Sequence, residues 1–291
     1  MFNMENDVKR AESIIQQYLP KEEGYQKTIF EAMNYAVNGG GKRLRPILML
    51  KTFEGFNGSS KAIEPFMAAI EMIHTYSLVH DDLPALDNDD YRRGRKTTHV
   101  VYGHAMGILA GDALLNYAFE TALLAFGMDD LEVVRKAFEL LVKKPGVYGM
   151  IGGQVVDVEK SGSTMTKEEL EFVFECKTAA LIEASMMIGA ILGGASEDEV
   201  KKVEQIARKI GVAFQIQDDI LDIISTTSEL GKPVHSDEKN EKSTYVTIYG
   251  MEQAKQDVLS YSNRAIEEIK TLSGNHEELI EFVSLLIDRK K

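Results

Sequence analysis

Two groups of aspartates have the residue types and spacing to bind a metal ion. The first reads Asp81-Asp82-Leu-Pro-Ala-Leu-Asp87, and the second reads Asp218-Asp219-Ile-Leu-Asp222. Carboxylate oxygens are hard ligands, and Mg²⁺ is usually held by one or two carboxylates together with the phosphates of a substrate. An acidic run by itself is typical of a solvated surface, but two groups embedded in apolar sequence predict a magnesium site.

The second aspartate group lies on a predicted helix. Gln215, Asp218, Asp219 and Asp222 occupy positions i, i+3, i+4 and i+7, so they share one face of a helix that is otherwise mostly apolar. Like charges at this spacing repel one another. They therefore oppose folding unless something positive binds against them.

The first aspartate group does not fit one helical face. Asp81 and Asp87 are about 240° apart around an ideal helix, at ~100° per residue. They can serve one site only if the helix opens between them. Pro84 is the residue at which we expect it to open.

Basic residues accompany both aspartate groups. Three cations follow a glycine run in the segment 39–46, GGGKRLRP, and Arg92 and Arg93 follow the first aspartate group. His74 lies seven residues before Asp81, within ~20° of the same helical face. Arg and Lys are the usual ligands of phosphate oxygens. Each feature alone is typical of a surface patch or a core histidine, but together they predict a cavity that binds Mg²⁺ and a diphosphate.

The elements that must position these residues are helices. Capping-box pairs at 166–169 and 196–199 predict helices over 168–192 and 197–224, and apolar residues recur every three or four positions along the second. Pro65 suits the first turn of a helix that runs toward the first aspartate group. No alternating run bounded by hairpin turns predicts a strand. The sequence therefore predicts an all-α bundle whose interior holds the site.

Composition and charge exclude several classes of protein. The chain has 33 Lys+Arg against 46 Asp+Glu and a formal net charge of −13, which disfavours a nucleic-acid partner. Its single cysteine, Cys176, precludes an internal disulfide and indicates a reducing compartment. The acidic N-terminal residues do not resemble a signal peptide, and the apolar stretch 179–195 is too short to span a bilayer. We therefore expect one cytoplasmic domain over 1–291, without a membrane span.

Several motifs occur in an order that resembles a known family. They are GGKRLRP, DDLPALDNDDYRRG, GDALL, GGQVVD, KT, FQIQDDILD, and LGK followed by EKSTY. Over nearly its whole length the chain resembles the trans-isoprenyl diphosphate synthases, or polyprenyl synthetases, and is most similar to their bacterial farnesyl type. The resemblance implies an isoprenoid-synthase-type bundle of long helices around a central cavity, usually in a homodimer.

The resemblance also implies a reaction. Isopentenyl diphosphate would condense head to tail with dimethylallyl or geranyl diphosphate, assisted by three Mg²⁺ ions, to give farnesyl diphosphate. The ligands of the isopentenyl diphosphate would be Lys42, Arg45, His74 and Arg93. The metal-binding residues would be Asp81, Asp82, Asp87 and Asp218, with Asp219 and Asp222 in support. The leaving diphosphate would be neutralised by Arg92, Lys177, Lys232 and Lys242, and the allylic cation would lie beside Thr178 and Gln215.

Product length is implied by the residues one turn before Asp81. Tyr76 is the fifth residue before it, and Ser77 is the fourth. In the family, a bulky aromatic at the fifth position, with two extra residues inside the first aspartate motif, resembles the bacterial farnesyl type. Tyr76 therefore favours a fifteen-carbon product.

Other functions remain open at this stage. A geranyl or geranylgeranyl diphosphate synthase would share every motif. A terpene cyclase also ionises a prenyl diphosphate, but it usually has a different second motif and needs no second diphosphate pocket. A non-catalytic subunit of a heteromeric prenyl synthase usually lacks one aspartate motif, whereas both are present here.

Overall fold

The computed structural model describes residues 3–224 and 243–287, which fold almost entirely into helices. In chain order the helices are α1 (Met4–Gln17), α2 (Lys27–Val37), α3 (Leu44–Gly55), α4 (Ile63–Asp81), α5 (Thr98–Tyr102), α6 (His104–Leu123), α7 (Leu131–Lys143), α8 (Met150–Glu159), α9 (Lys167–Val173), α10 (Ala180–Leu192), α11 (Glu197–Ile224), α12 (Tyr245–Tyr249), α13 (Met251–Ile269) and α14 (Glu277–Ile287). The predicted all-α class and the predicted helix over 197–224 are confirmed.

The predicted helix over 168–192 is interrupted by a π-helix. The chain runs through α9, a π-helical segment (Phe174–Ala179) and α10 without a break, and α9 begins at the predicted capping box. Glycines allow close packing on this segment: a Cβ on Gly153 would lie 2.3 Å from the amide nitrogen of Lys177, and one on Gly211 would lie 2.5 Å from the Cβ of Ala179. These tertiary contacts have no signature in local periodicity.

A short hairpin follows the first aspartate group, so the expectation of no strands is wrong here. Strands β1 (Tyr91–Arg92) and β2 (Arg95–Lys96) pair antiparallel. The two residues between them, Arg93 and Gly94, have φ of +53° and +74°, as a type I′ turn requires. Two-residue strands are too short to show an alternating pattern.

The hydrophobic core is centred on α4 and α10. Both helices bury apolar residues all round, which is typical of interior helices. α4 packs on α6 and α3, while α10 packs on α3, α7 and α11. Gly189 brings α10 close to α3, since a Cβ there would lie 2.2 Å from the carbonyl oxygen of Met49. This rigid pair of helices supports the residues at the end of α4.

A smaller apolar cluster surrounds the π-helix. It consists of Met165, Leu170, Val173, Phe174, Val212, Ile216, Ile220, Tyr245, Ala254 and Val258. The ring of Tyr245 stacks on Tyr249 with centroids 4.4 Å apart and packs against Phe174. This cluster fixes α12 and the π-helix against the middle of α11.

One described helix is long and apolar enough to meet a length-and-composition criterion for a membrane span. It is α6 with its 3₁₀ extension, His104–Gly127, and not the stretch 179–195 singled out from the sequence. Core helices of soluble proteins meet the same criterion. Only 39% of the most apolar window of this helix is buried, so apolar side chains such as Ile108 and Leu109 are exposed.

Candidate active site

A large cavity of about 1090 Å³ lies among α3, α4, α8, the π-helix, α11 and the glycine loop. The predicted site residues that line it are Lys42, Arg45, His74, Tyr76, Ser77, Asp81, Arg92, Arg93, Lys177, Thr178, Gln215 and Asp218. Asp82, Asp87, Asp219 and Asp222 are not in the lining. Lys232 and Lys242 lie outside the described residues. The cavity thus brings together residues that are far apart in the sequence.

The glycine loop holds a basic residue of the hairpin. Gly40 and Gly41 have φ of +84° and +131°, a region that favours glycine. A Cβ on Gly41 would lie 2.7 Å from the guanidinium carbon of Arg93, and Nη1 of Arg93 donates to the carbonyl of Gly40. The glycine loop therefore holds the side chain of Arg93 at the edge of the cavity.

The basic side chains at this end of the cavity lie close to one another. Nε of Arg45 is buried and has no hydrogen-bond partner among the described residues. Burial lowers the pKa of Arg45 to about 10, although Glu71 opposes the shift. Burial, with Arg45 and Arg93 nearby, holds the pKa of His74 well below its usual value, so the imidazole is neutral at pH 7. An anion such as a diphosphate would satisfy these groups.

The first aspartate pair points in two directions at the end of α4. Asp81 faces the cavity and accepts a hydrogen bond from Nε2 of Gln154 on α8 at 2.8 Å. Asp82 is 4% exposed and accepts one from Nε of Arg92 at 2.7 Å. Burial raises the pKa of Asp82 to about 6, against the opposing effect of Arg92. Asp82 therefore anchors the hairpin instead of lining the cavity.

The chain turns back after α4, as the spacing of Asp81 and Asp87 requires. The amide of Asp87 donates to the carbonyl of Asp81 at 2.9 Å, and that of Asp89 donates to the carbonyl of Asp82 at 3.2 Å. Pro84 lies in this turn, after the helix has ended. The two predicted metal ligands thus become backbone neighbours.

In the second aspartate group, one residue lines the cavity and the other two are buried beside it. Asp218 lines the cavity. Asp219 is buried and accepts hydrogen bonds from Nε2 of Gln215 at 3.0 Å and from the amide of Tyr245 at 2.7 Å. Asp222 is also buried, on the same side of α11. Asp219 therefore ties the start of α12 to the cavity wall.

The π-helix presents Lys177 and Thr178 to the cavity. Oγ1 of Thr178 donates to Oε1 of Gln215 at 2.8 Å, and Nζ of Lys177 donates to Oδ2 of Asp157 at 2.7 Å. Asp157 and Gln154 both belong to the GGQVVD motif. The motif was visible in the sequence, but nothing in its spacing indicated which residues these two would hold.

The described carboxylates do not form a preformed metal cluster. Among residues 3–224 and 243–287, no three His, Cys, Asp or Glu side chains are gathered closely enough to hold a metal ion. Asp81 and Asp218 instead face one cavity from α4 and α11. Separated hard oxygens fit Mg²⁺, which keeps open positions for substrate phosphates.

An aromatic ring lines the part of the cavity along α4. Tyr76 is 6% exposed, and its buried hydroxyl has no hydrogen-bond partner among the described residues. Burial, with a contribution from Asp81, raises its pKa to about 12. His80 packs edge-on against the ring, with centroids 5.9 Å apart. Leu115 adds an apolar surface from α6.

Comparison with known proteins identifies clear relatives. The profile of the family Polyprenyl synthetase matches residues 26–283. A farnesyl diphosphate synthase of Geobacillus stearothermophilus is 44% identical over 86% of this chain and 85% of its own, and a geranylgeranyl diphosphate synthase of Cyanophora paradoxa is 40% identical over 91% and 93%. The crystal structure of a Helicobacter pylori geranyltransferase complexed with magnesium and isoprenyl diphosphate superposes with a TM-score of 0.85 at 30% identity, covering 98% of this chain and 95% of that one.

Proposed function

This chain belongs to the Polyprenyl synthetase family, and we propose that it condenses isopentenyl diphosphate with dimethylallyl or geranyl diphosphate, head to tail, to form farnesyl diphosphate. The observation that carries the proposal is the large cavity. It has a group of cations at one end, including Arg45 with its unpartnered Nε, aspartates from two helices in its walls, and an apolar surface along α4. Two diphosphates and a growing hydrocarbon need these three surfaces.

The aspartates would act on the allylic substrate. Asp81 and Asp218 would hold Mg²⁺ ions against its diphosphate, with Asp87 beside Asp81. Bound Mg²⁺ takes up the charge that develops on a leaving diphosphate. Lys177 and Arg92 line the same cavity and would neutralise the remaining charge. We propose three ions, as is general for the family's two aspartate motifs.

The basic end would hold isopentenyl diphosphate. Arg45, with its unpaired Nε, and Arg93, seated on the glycine loop, would contact the diphosphate oxygens. Lys42 and neutral His74 would add donors. This second anion pocket supports a condensing enzyme over a cyclase, which uses one diphosphate.

The carbon–carbon bond would form between the two ends. When the allylic C–O bond breaks, the electron pair leaves with the diphosphate, and Thr178 and Gln215 present oxygens beside the resulting cation. The alkene of isopentenyl diphosphate supplies the two electrons of the new bond. The proton that is then lost passes to the departing diphosphate, so no protein base is required. Apolar walls exclude the water that would otherwise capture the cation.

The product is proposed to have fifteen carbons. Both farnesyl and geranylgeranyl diphosphate synthases are among the relatives, so the family name does not decide the length. The support comes from Tyr76, whose buried ring lines the cavity one turn before Asp81, with Ser77 beside it, and would limit the length of the chain there.

We further propose that the chain acts as one domain over 1–291 and as a homodimer. The large core cluster includes residues near both ends of the described chain, from Ala11 on α1 to Leu286 on α14, which supports one domain. Ile108 and Leu109 on α6 and Val101 on α5 are 44–52% exposed, which supports an interface there. Light scattering coupled to size exclusion tests this: glutamate at Ile108 and Leu109 should give a monomer where the unaltered protein is a dimer.

The reaction itself is tested with labelled isopentenyl diphosphate, Mg²⁺ and each allylic starter in turn. We expect label in a fifteen-carbon diphosphate, identified by chromatography after dephosphorylation. Hydrocarbon release from farnesyl diphosphate alone, without incorporation of label, would instead indicate a cyclase. Absence of any turnover would indicate a non-catalytic subunit.

A further inference from the structure

Arg43 and Glu71 form a buried ion pair beside the basic end of the cavity. Nη1 of Arg43 donates to Oε1 of Glu71 at 2.8 Å, and each side chain is 3% exposed. Nη2 donates to the carbonyl of Val37, the last residue of α2, at 2.8 Å. Arg43 has φ of +50°, which turns the chain between Lys42 and Arg45. The pair therefore joins the loop that carries the cations to helix α4.

Glu71 is an anion within a group of cations. It lines the cavity and lies one turn before His74 on α4. Its charge raises the pKa of Arg45 and of Arg93, against the larger lowering effect of burial, so both arginines are within its electrostatic reach. In the described part of the chain its hydrogen bond goes to Arg43, while Arg93 bonds to the glycine loop.

A free carboxylate at this position would compete with the substrate. Without Arg43, Glu71 would be a buried charge lacking its partner, a costly state that it could relieve by pairing with Arg45 or Arg93. Those are the two arginines proposed to hold the diphosphate of isopentenyl diphosphate. Conversely, without Glu71 the cations would repel one another until an anion bound.

We propose that Arg43 is a positioning residue that keeps the carboxylate of Glu71 occupied, so that Arg45 and Arg93 remain available to the diphosphate of isopentenyl diphosphate. The inference rests on the proposed function and deepens it. It predicts that loss of Arg43 weakens binding of the diphosphate and that loss of the Glu71 charge strengthens it. A merely structural pair would give effects of the same sign.

The first test is steady-state kinetics on three variants. Arg43→Met should raise KM for isopentenyl diphosphate at least about tenfold, with kcat and KM for the allylic substrate within about twofold of the unaltered protein. Adding Glu71→Gln to this variant should reverse most of the rise in KM, because the competing negative charge is gone. Arg43→Lys, which keeps a cation opposite Glu71, should stay close to the unaltered protein.

The second test measures thermal unfolding with inorganic pyrophosphate and no metal. Glu71→Gln should lower Tm without pyrophosphate and show a larger pyrophosphate-induced rise than the unaltered protein. Lys51→Met is the matched control: Lys51 is 5% exposed and paired with Asp7 and Glu278, but it does not line the cavity. It should lower Tm and leave the pyrophosphate-induced rise unchanged.

Two results would overturn the inference. One is a double variant as impaired as Arg43→Met or worse; the other is an equal rise in KM for both substrates. If the unaltered protein incorporates no isopentenyl diphosphate, the proposed function fails, and the pyrophosphate titration still decides the role of the pair. In that titration, a rise for Glu71→Gln no larger than that of the unaltered protein counts against the inference.

Discussion

The basic end of the cavity and its aspartate walls both gather like charges, and both contain ion pairs in which a residue of the other sign takes part; the pair at the basic end is fully buried. At the basic end the odd charge is Glu71, held by Arg43 at 2.8 Å. At the acidic end the opposite charges are Arg92, which is 31% exposed and pairs with Asp82 at 2.7 Å, and Lys177, which pairs with Asp157. Arg43 thus neutralises Glu71, and Arg92 neutralises Asp82, next to residues that face the cavity.

The two regions differ in how complete they are without ligand. The glycine loop and the hairpin already bring Arg93 to the edge of the cavity, and Arg45 needs only an anion. The carboxylates of Asp81 and Asp218 come from different helices, and no metal-sized group of three such ligands exists among the described residues. The basic end should therefore bind a diphosphate alone, whereas the acidic end should bind one only through Mg²⁺.

The largest expected effect comes from breaking the acidic end. Asp81→Asn and Asp218→Asn should each lower kcat about 10³-fold or more, because the charge of the leaving diphosphate is no longer taken up. KM for isopentenyl diphosphate should change less than about threefold, since its ligands lie elsewhere. Steady-state kinetics at saturating Mg²⁺ measure both quantities.

Asp198→Asn is the control for these substitutions, because Asp198 is exposed on the first turn of α11 and pairs with Lys201. It should retain full activity. If either cavity variant kept more than about a tenth of kcat, the assignment of the acidic end would be wrong.

The next effect comes from breaking the basic end. Arg45→Met should raise KM for isopentenyl diphosphate about 100-fold, the loss expected when a desolvated charge partner is removed. The Mg²⁺ requirement and KM for the allylic substrate should stay unchanged. Arg10→Met, at an exposed arginine paired with Glu54, is the matched control. An equal rise in KM for both substrates would show that the two ends do not act separately.

Much of this site could be predicted from the sequence, because residue type and helical spacing carry its chemistry. The polar residues from Gln215 to Asp222 share one face as soon as the segment is helical, and this segment is helical in α11. The positions of Lys177 and Thr178 depend on a π-helix, against which Gly153 of α8 packs closely. Periodicity in one segment does not record such long-range contacts.

The partners of the predicted residues were harder to foresee. Glu71 and Asp157 are single acidic residues without a repeating pattern. Each forms an ion pair with a basic residue that is distant in the sequence. Asp82 and Asp219 belong to the predicted metal-binding groups, and nothing in the sequence indicated that Asp82 would accept a hydrogen bond from Arg92 or Asp219 one from the amide of Tyr245. Which aspartate of a pair faces the cavity is decided by tertiary packing.

A third prediction concerns the apolar surface between the two ends. Tyr76→Ala should shift the main product from fifteen to twenty or more carbons, because removal of the ring lengthens the space along α4. Tyr76→Phe should keep the fifteen-carbon product, since the hydroxyl of Tyr76 makes no hydrogen bond within the described residues and its loss leaves no partner unsatisfied. Chromatography of dephosphorylated products measures both. An unchanged product from Tyr76→Ala would mean that another residue sets the length.

The smallest expected effect is a difference in pH dependence between the two ends. The pKa of His74 is lowered by burial, Arg45 and Arg93, so below about pH 6.5 the unfolded chain binds a proton that the folded chain does not. Stability should therefore fall as pH falls through this window. The pKa of Asp82 is raised by burial to about 6 from 3.8. Between about pH 4 and 6 the folded chain therefore binds a proton that the unfolded chain does not, and the stability that Asp82 contributes is lost as pH rises through this window.

His74→Asn isolates the basic end from His99 and His276, whose pKa values are also lowered by burial. Without metal, the loss of Tm between about pH 7 and pH 5 should be roughly 2–4 °C smaller in the variant than in the unaltered protein. Pyrophosphate should reduce the same loss in the unaltered protein, because a bound anion favours protonated His74 and offsets its repulsion by the arginines. If pyrophosphate changed the slope equally in His74→Asn, the proton would be taken up elsewhere, and the imidazole would lie outside the anion pocket.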